Sequence, residues 1–194
     1  MKNKCSLMLA AVLLFGAGPA LAADYKIDDA HTTVGFKVRH LFSKVQGQFK
    51  KFEGTFSYDA ADLSQWKTEA VIDAASIDTN VEKRDNHLRS KDFFETDVHP
   101  TLTFKSTGAH DLAGSTAKVD GLLTMHGVTK PVTLDVEILG EGVDPWGNTR
   151  LGLTAKTTVN RKDFGLGWNQ ALESGQLLVG EEIEITLEIE GLKQ

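Results

Sequence analysis

The sequence is almost devoid of cysteine, and its one cysteine, Cys5, lies among the first residues. Those residues are typical of an export signal, because two lysines precede an apolar stretch at 7–15 and a small-residue cleavage site, Ala-Leu-Ala, at 20–22. Cys5 precedes the apolar stretch, so it does not stand where a lipid-bearing cysteine would follow such a site. Cleavage before Ala23 predicts a mature chain of 172 residues without cysteine. A chain of that length buries a sufficient core without disulfides.

Long apolar runs and excess positive charge are also missing. The stretch at 7–15 is too short for a membrane span, and losing the two leader lysines lowers the net charge from −6 to −8. A chain this acidic is poorly suited to nucleic acid or anionic membrane surfaces, so we expect no nucleic-acid partner. No linker, repeat or low-complexity tract divides it. The sequence therefore predicts a signal peptide at 1–22 and one domain at 23–194, located in the bacterial periplasm, with secretion as the alternative.

Motifs that carry catalysis or bind metal are absent as well. There is no Gly-x-Ser-x-Gly elbow, and the Gly-Leu-Gly at 165–167 does not open a dinucleotide-binding helix. The histidines form no HxH, HxxxH or HExxH pattern, although a site assembled across strands stays open as the less favoured alternative. The six histidines are His31, His40, His87, His99, His110 and His126. We predict no catalytic residue, no metal and no cofactor.

What the sequence does contain is alternation of apolar and polar residues with period two, which is typical of half-buried β-strands. The alternating segments are 33–41, 45–58, 66–77, the residues after Pro100, 119–125, 132–139, 151–159 and 182–190. The alternation slips between Phe49 and Phe52, which predicts a bulge or a bend at residues 50–51. The segment at 126–131 is predicted to connect two strands of a hairpin, and 144–148 is a strong turn signal. A short helix around Ala171 is also predicted.

About eight strands with one apolar face each fit either a closed antiparallel barrel or a two-sheet sandwich. Two observations favour the barrel. The strands are long for a sandwich, and their inner faces mix bulky residues with small ones such as Ala70, Gly121 and Ala155. An eight-stranded barrel is just wide enough to hold one slim ligand. We therefore predict an all-β, eight-stranded antiparallel barrel with an internal pocket.

The segment at 79–94, TNVEKRDNHLRSKDFF, does not alternate and predicts a helix folded over one end of the barrel. Thr79 or Asn80 is the expected N-cap, with the acid of a capping box following Thr79 by three residues. Two interpretations of its polar centre remain open. One is an Arg84–Asp85 ion pair that fastens the helix to the rim. The other is a mouth that binds a polar head group, and its candidate residues are Arg39, His40, Arg84, Asp85, His87 and Arg89.

Several motifs, in order along the chain, resemble the YceI-like proteins. They are ADYKID after the leader, F-x-V-x-H-L at 36–41, G-x-F-x-x-F-x-G at 47–54, RDNHLRS at 84–90, FKST at 104–107, GVTKPV at 127–132 and NRKDFG at 160–165. The resemblance covers essentially the whole mature chain. It is therefore more specific than any single motif.

The resemblance implies a lipocalin-like barrel whose hydrophobic pore holds a polyisoprenoid chain, such as the tail of a quinone or polyprenol. It also implies a periplasmic location and places the segment at 84–90 near the barrel opening. Periodicity then selects the candidate residues of the pore wall. They are Phe36, Val38, Phe49, Ile72, Phe104, Met125, Leu134, Val136 and Leu153.

The leading hypothesis is a non-catalytic periplasmic carrier of a long isoprenoid. One alternative is an enzyme acting on a prenyl lipid, with His87, Asp85 and nearby arginines supplying acid–base chemistry. Another is a structural or stress-response module with a filled core. The expected partners are a polyisoprenoid lipid or quinone and, transiently, inner-membrane proteins that handle quinones. A homodimer is an open alternative to a monomer.

Overall fold

A computed structural model describes residues 22–173 and 175–194 and shows a barrel with one short helix. The export signal predicted at 1–22 lies, apart from residue 22, outside the described residues. The strands are β1 (Ala23–Ile27), β2 (Thr33–His40), β3 (Ser43–Phe49), β4 (Phe52–Tyr58), β5 (Lys67–Asp73), β6 (Ile77–Asp78), β7 (Thr101–Ala113), β8 (Thr116–Met125), β9 (Val128–Val143), β10 (Thr149–Asn160) and β11 (Val179–Lys193). The helix is α1 (Glu82–Arg89), and 3-10 helices span Leu63–Gln65, Ala74–Ser76 and Arg161–Phe164.

The sheet closes into a ring of eight strands. Its order is β1-β4-β5-β7-β8-β9-β10-β11, and β11 pairs back onto β1. At one end, β2, β3 and β6 extend the wall, because β2 pairs with both β11 and β3, and β3 pairs with β6. Every pairing is antiparallel, and a closed ring leaves few free strand edges. The predicted eight-stranded antiparallel barrel is confirmed over the sandwich.

The slip in alternation that the sequence shows corresponds to a break between two strands of the barrel wall. β3 ends at Phe49 and β4 begins at Phe52, and the backbone N–H groups of Lys50 and Lys51 both donate to Ser76 Oγ at 3.1 Å. The interrupted backbone N–H groups therefore find a partner in a side chain instead of in a neighbouring strand. The break lets one continuous stretch of chain serve as two strand segments.

The helix is shorter than predicted. It begins after Val81, which caps it without a side-chain hydrogen bond, and residues 90–99 form hydrogen-bonded turns instead of further helix. Neither Thr79 nor Asn80 is the N-cap. Asn80 lies in the left-handed region at φ 62°, and the buried Thr79 is occupied by bonds to the first helical turns. No helix of the described residues is both long and apolar enough to cross a membrane.

Two of the predicted connections between strands differ from those in the structure. The hairpin turn comprises only His126 and Gly127, whose φ angles of 50° and 73° suit the tight turn that matches the strand twist. Residues 128–131 already belong to β9. The described residues around Ala171, 165–173 and 175–178, form no helix, and an isolated bridge joins Ala171 to Leu177. The predicted turn at 144–148 is confirmed, because Asp144 accepts bonds from the backbone N–H groups of Trp146 and Asn148.

The two barrel ends have different structures. The α1 end carries the helix, the turns at 41–42 and 126–127, and the connection between β10 and β11. The opposite end carries the start of β1, the end of β11 and the turns at 114–115 and 144–148. At the opposite end, the fully buried Tyr25 stacks on Phe56 with centroids 5.1 Å apart and donates to Glu141 at 2.9 Å. Burial raises the pKa of Tyr25 far above its usual range. Packed side chains therefore close this end.

Arg150 joins three acidic side chains at the opposite end. Its Nη1 donates to Asp28 at 2.5 Å and Glu190 at 2.6 Å, and its Nε donates to Asp144 at 2.7 Å. These bonds lower the pKa of Asp28 from 3.8 to about 2 and hold the pKa of Asp144 well below its usual range. Both folded-state pKa values are depressed. The stability that these bonds contribute is therefore present above pH ~4 and is lost as pH falls through ~2.

We expect Arg150→Met to remove most of this pH dependence. The free energy of unfolding of the wild type should fall steeply between pH 4 and pH 2, and that of the variant, already lower at neutral pH, should fall less. Urea unfolding followed across this pH range measures both slopes. Lys118→Met, which removes the exposed pair with Asp135, is the matched control and should keep the wild-type slope. Equal slopes for wild type and Arg150→Met would contradict the assignment.

Candidate ligand cavity

The barrel encloses a cavity of about 600 Å³. Every strand from β1 to β11 contributes at least one lining residue, so the cavity lies along the barrel interior. The lining is mainly aliphatic and aromatic. Binding pockets for small molecules are usually of this size, between roughly 300 and 1,000 Å³, and of this apolar character. The geometry therefore suits a slim apolar ligand held inside the wall.

All nine residues predicted for the pore wall line this cavity. They are Phe36, Val38, Phe49, Ile72, Phe104, Met125, Leu134, Val136 and Leu153. The strict alternation is clearest in β11, where Ile183, Ile185, Leu187 and Ile189 all face the cavity. Their position follows from the pleat, which sends alternate side chains to opposite faces. Their contact with a ligand stays a prediction.

Two glycines explain how large aromatic residues line the wall and still leave the bore open. A Cβ at Gly47 would lie 2.4 Å from the ring of Phe36, its partner across β2 and β3. A Cβ at Gly121 would lie 2.4 Å from the ring of Phe104. Each phenylalanine therefore lies against bare backbone on a neighbouring strand. Any side chain at these glycines would displace the ring.

Gly47→Ala should lower the free energy of unfolding by about 1–2 kcal/mol, because overpacking forces the Phe36 ring from its position. The measurement is urea unfolding monitored by far-UV circular dichroism. Gly108→Ala on β7 is the matched control, since a Cβ there meets nothing within 4 Å and its effect should stay within about 0.5 kcal/mol. Equal losses in the two variants would show that the close approach of Phe36 is not what requires glycine.

Aromatic side chains cover the α1 end of the cavity. His87 lies edge-on to Phe93 and to Trp168, with centroid distances of 5.1 and 4.8 Å, and Phe93 lies 5.2 Å from Trp168. All three line the cavity. His87 Nε2 also lies 2.9 Å from an oxygen of Asp92. The segment after α1 and the connection at 161–178 therefore meet over this end.

The structure brings only half of the predicted mouth residues to the cavity. His40, Arg84 and His87 line it, whereas Arg39, Asp85 and Arg89 do not. Arg39 lies on the opposite face of β2 from His40, as strand alternation requires. Arg89 instead donates from Nε to the carbonyl of Ala75 and from Nη2 to that of Ile77.

The Arg84–Asp85 ion pair is not formed, because both side chains bind Thr79 instead. Asp85, only 5% exposed, accepts from the backbone N–H of Thr79 at 2.9 Å and from its hydroxyl at 2.5 Å. Arg84 Nε donates to the same hydroxyl oxygen at 2.6 Å. The two residues fasten α1 to the end of β6 through a hydroxyl. Asp85 is therefore not available to His87 as part of an acid–base pair facing the cavity.

Sequence reasoning missed Arg161, the most deeply buried charged residue on the cavity wall. It is 2% exposed, and it donates from Nε to the carbonyl of Gly180 at 2.9 Å and from Nη1 to those of Leu166 and Trp168. Its Nη2 is buried and has no hydrogen-bond partner among the residues that the structure describes. Desolvation lowers the pKa of this guanidinium. The alternation of β10 could have found it, since residue 161 continues the inward series of Thr157 and Val159.

Comparison with known proteins identifies the family. The YceI-like domain matches residues 25–191. A UPF0312 protein of Ectopseudomonas mendocina is 41% identical over the whole length of both chains, and Protein YceI of Shigella flexneri is 41% identical over 95% of this chain and 94% of its own.

Solved structures show the same fold. The crystal structure of the Campylobacter jejuni YCEI protein matches with a TM-score of 0.70 at 32% identity, over 86% of this chain and 96% of that one. A polyisoprenoid binding domain from Saccharophagus degradans matches with a TM-score of 0.61 at 16% identity, over 88% of this chain and 98% of that one. With its matching sequence, its closed barrel and relatives that share its whole length, the chain belongs to the YceI-like domain family.

Proposed function

We propose that this protein is a non-catalytic carrier that holds one polyisoprenoid chain, the tail of a quinone or of a polyprenyl lipid, inside its barrel. The observation that carries the proposal is the apolar cavity of about 600 Å³ to which every strand contributes. A polyprenyl tail offers only apolar groups for recognition. A greasy channel of matched bore is therefore its appropriate receptor. The name of the Saccharophagus degradans domain, which shares the fold, is consistent with this ligand class.

The free energy available from burial is ample. Each buried CH₂ equivalent contributes about 0.8 kcal/mol, so a tail of roughly forty carbons would gain on the order of 30 kcal/mol if it were fully buried. Measured affinities saturate near about −18 to −21 kcal/mol. The entropy lost when a flexible tail is ordered, together with imperfect fit, accounts for the difference between the burial gain and this limit. Selectivity would then depend on bore and length rather than on individual contacts.

The arginine and histidine side chains of the wall favour one orientation of the ligand. His40, Arg84, His87 and the buried Arg161 all line the cavity, and all belong to segments of the α1 end. The unpartnered Nη2 of Arg161 is a donor for an oxygen atom of a ligand. The opposite end is closed by the Tyr25–Phe56 stack. We therefore place the head group at the α1 end and the tail towards Tyr25.

The setting of this function is also part of the proposal. The leader predicted at 1–22 would be cleaved on export, and the carrier would work in the periplasm. Transport between membranes requires a donor and an acceptor of the lipid, and we expect brief contact with inner-membrane proteins that handle quinones. The homodimer remains an alternative to the monomer.

Extraction of the purified protein with organic solvent, followed by mass spectrometry, tests the proposal. The protein should be purified without detergent after export in its native host or a close relative. A prenyl lipid at close to one molecule per chain is the expected result. Clean extracts from several preparations would refute the carrier. If a recovered prenyl lipid is chemically altered by the wild type and not by His87→Ala, the protein is an enzyme instead.

A further inference from the structure

Three side chains with metal-binding atoms converge at the α1 end, outside the cavity. Glu95 belongs to the turns after α1, His99 precedes β7, and His126 lies in the turn between β8 and β9. One ligand atom from each lies within 4.8 Å of the others. His126 Nε2 is 3.8 Å from Glu95 Oε2, and the rings of His99 and His126 have centroids 4.7 Å apart. None of the three lines the cavity.

The hydrogen bonding of His126 prepares it as a ligand. Its Nδ1 lies 3.2 Å from the carbonyl oxygen of Phe164, and because a carbonyl only accepts, this nitrogen carries the proton. In the neutral ring, Nε2 then presents a lone pair. That atom is buried and has no hydrogen-bond partner within residues 22–173 and 175–194. Metal-binding histidines characteristically donate their other ring N–H to a backbone carbonyl or carboxylate.

We propose that Glu95, His99 and His126 bind one divalent transition-metal ion, with Zn²⁺ as the best-matched ion. Two imidazoles and one carboxylate are a familiar three-residue ligand set for Zn²⁺, with water in the fourth position. Bonds of about 2.0–2.2 Å in tetrahedral geometry place ligand atoms roughly 3.3–3.6 Å apart. The separation of 3.8 Å between His126 Nε2 and Glu95 Oε2 is within a small side-chain adjustment of that value.

Glycine at position 127 permits the approach of His99. A Cβ at Gly127 would lie 2.7 Å from Cε1 of His99, so any other residue would push this ring away from His126. A second group of potential ligands, Asp28, His31 and Glu190, is less suited to a cation. Its two carboxylates already accept bonds from Arg150, whose charge would repel a metal ion.

A metal ion here would connect the cover of the cavity to its wall. Phe93 and Phe94, which line the cavity, immediately precede Glu95, and His126 belongs to a hairpin of the ring. A metal ion that binds only the folded protein stabilises it. At a free metal concentration of one hundred times the dissociation constant, the melting temperature should rise by about 5–10 °C. This site is separate from the lipid cavity, so it does not depend on the proposed carrier function.

The test begins with purified protein treated with a chelator and dialysed. Isothermal titration with Zn²⁺ and absorption spectroscopy with Co²⁺ should show one site per chain, with the intense visible bands of tetrahedral Co²⁺. Glu95→Asn and His126→Asn should each weaken binding at least tenfold. Asparagine is chosen because both positions have left-handed backbone, with φ of 46° and 50°. His110→Gln, which alters an exposed histidine paired with Asp111 and Asp120, is the matched control.

The result that would overturn the site is equally specific. Wild-type protein that takes up no Zn²⁺, or that gives only the weak bands of octahedral Co²⁺, refutes it whether or not the variants fold. Zn²⁺ affinity that stays within threefold in both folded asparagine variants refutes it as well. Lipid extracted from the same preparations provides an independent readout. Variants that lose the metal but retain lipid support two separate sites.

Discussion

Ala155→Trp should leave the barrel folded but at least tenfold depleted of co-purifying lipid. Ala155 is 2% exposed, lies on β10 facing the cavity, and stands opposite Val136 on one side and Leu187 on the other. An indole at this position would extend into the space assigned to the tail. The strain of overpacking costs about 1–3 kcal/mol, and the gain from filling empty apolar volume offsets part of it. The variant should therefore lose most of its lipid while the barrel stays folded.

Mass spectrometry of organic extracts, normalised to protein, measures the effect. Lys156→Trp is the matched control, because it places the same indole at the next, exposed position of the same strand. It should retain lipid at the wild-type ratio. If Ala155→Trp is folded and retains as much lipid as Lys156→Trp, the ligand lies somewhere other than the barrel interior. The same result would require a new explanation for the cavity.

The wall of the cavity could be predicted because a β-strand imposes a local rule. Alternate residues face opposite sides of the sheet, so Phe36 and Leu134 could each be assigned to a face without knowledge of the strand beside them. The slip between Phe49 and Phe52 was visible for the same reason, since an interruption of the strand changes which face the following residues occupy. Strand length and the mixture of bulky and small inward residues then favoured a closed barrel over a sandwich.

Features that depend on distant parts of the chain could not be predicted in this way. Arg84 and Asp85 are adjacent and opposite in charge, which suggests an ion pair. In the structure, both side chains instead form hydrogen bonds with the buried hydroxyl of Thr79. The spacing of Glu95, His99 and His126 carries no metal motif, because the proximity of the last two depends on how β7 and β8 pair. Local patterns establish faces, whereas tertiary pairing decides which side chains meet.

Arg161→Met should lower the free energy of unfolding by about 3 kcal/mol or more, which corresponds to a fall in melting temperature of roughly 6–12 °C. The guanidinium donates to three backbone carbonyls, those of Leu166, Trp168 and Gly180. Each carbonyl left without a donor costs about 1–3 kcal/mol when it is buried. Methionine fills a similar volume, so the loss reports the hydrogen bonds rather than a cavity. Thermal unfolding of lipid-free protein is the measurement.

Lys162→Met removes the neighbouring positive charge and is the control for net charge. Lys162 forms an exposed ion pair with Glu181, and such surface pairs contribute little to stability. The stability of Arg161→Lys should lie between that of Arg161→Met and that of Lys162→Met. Its ammonium group retains the charge but cannot reach the three carbonyls that a planar guanidinium reaches together. If Arg161→Lys is as stable as the wild type, charge alone stabilises the connection at 161–178. Equal losses in Arg161→Met and Lys162→Met would exclude the buried hydrogen bonds as the source of that stability.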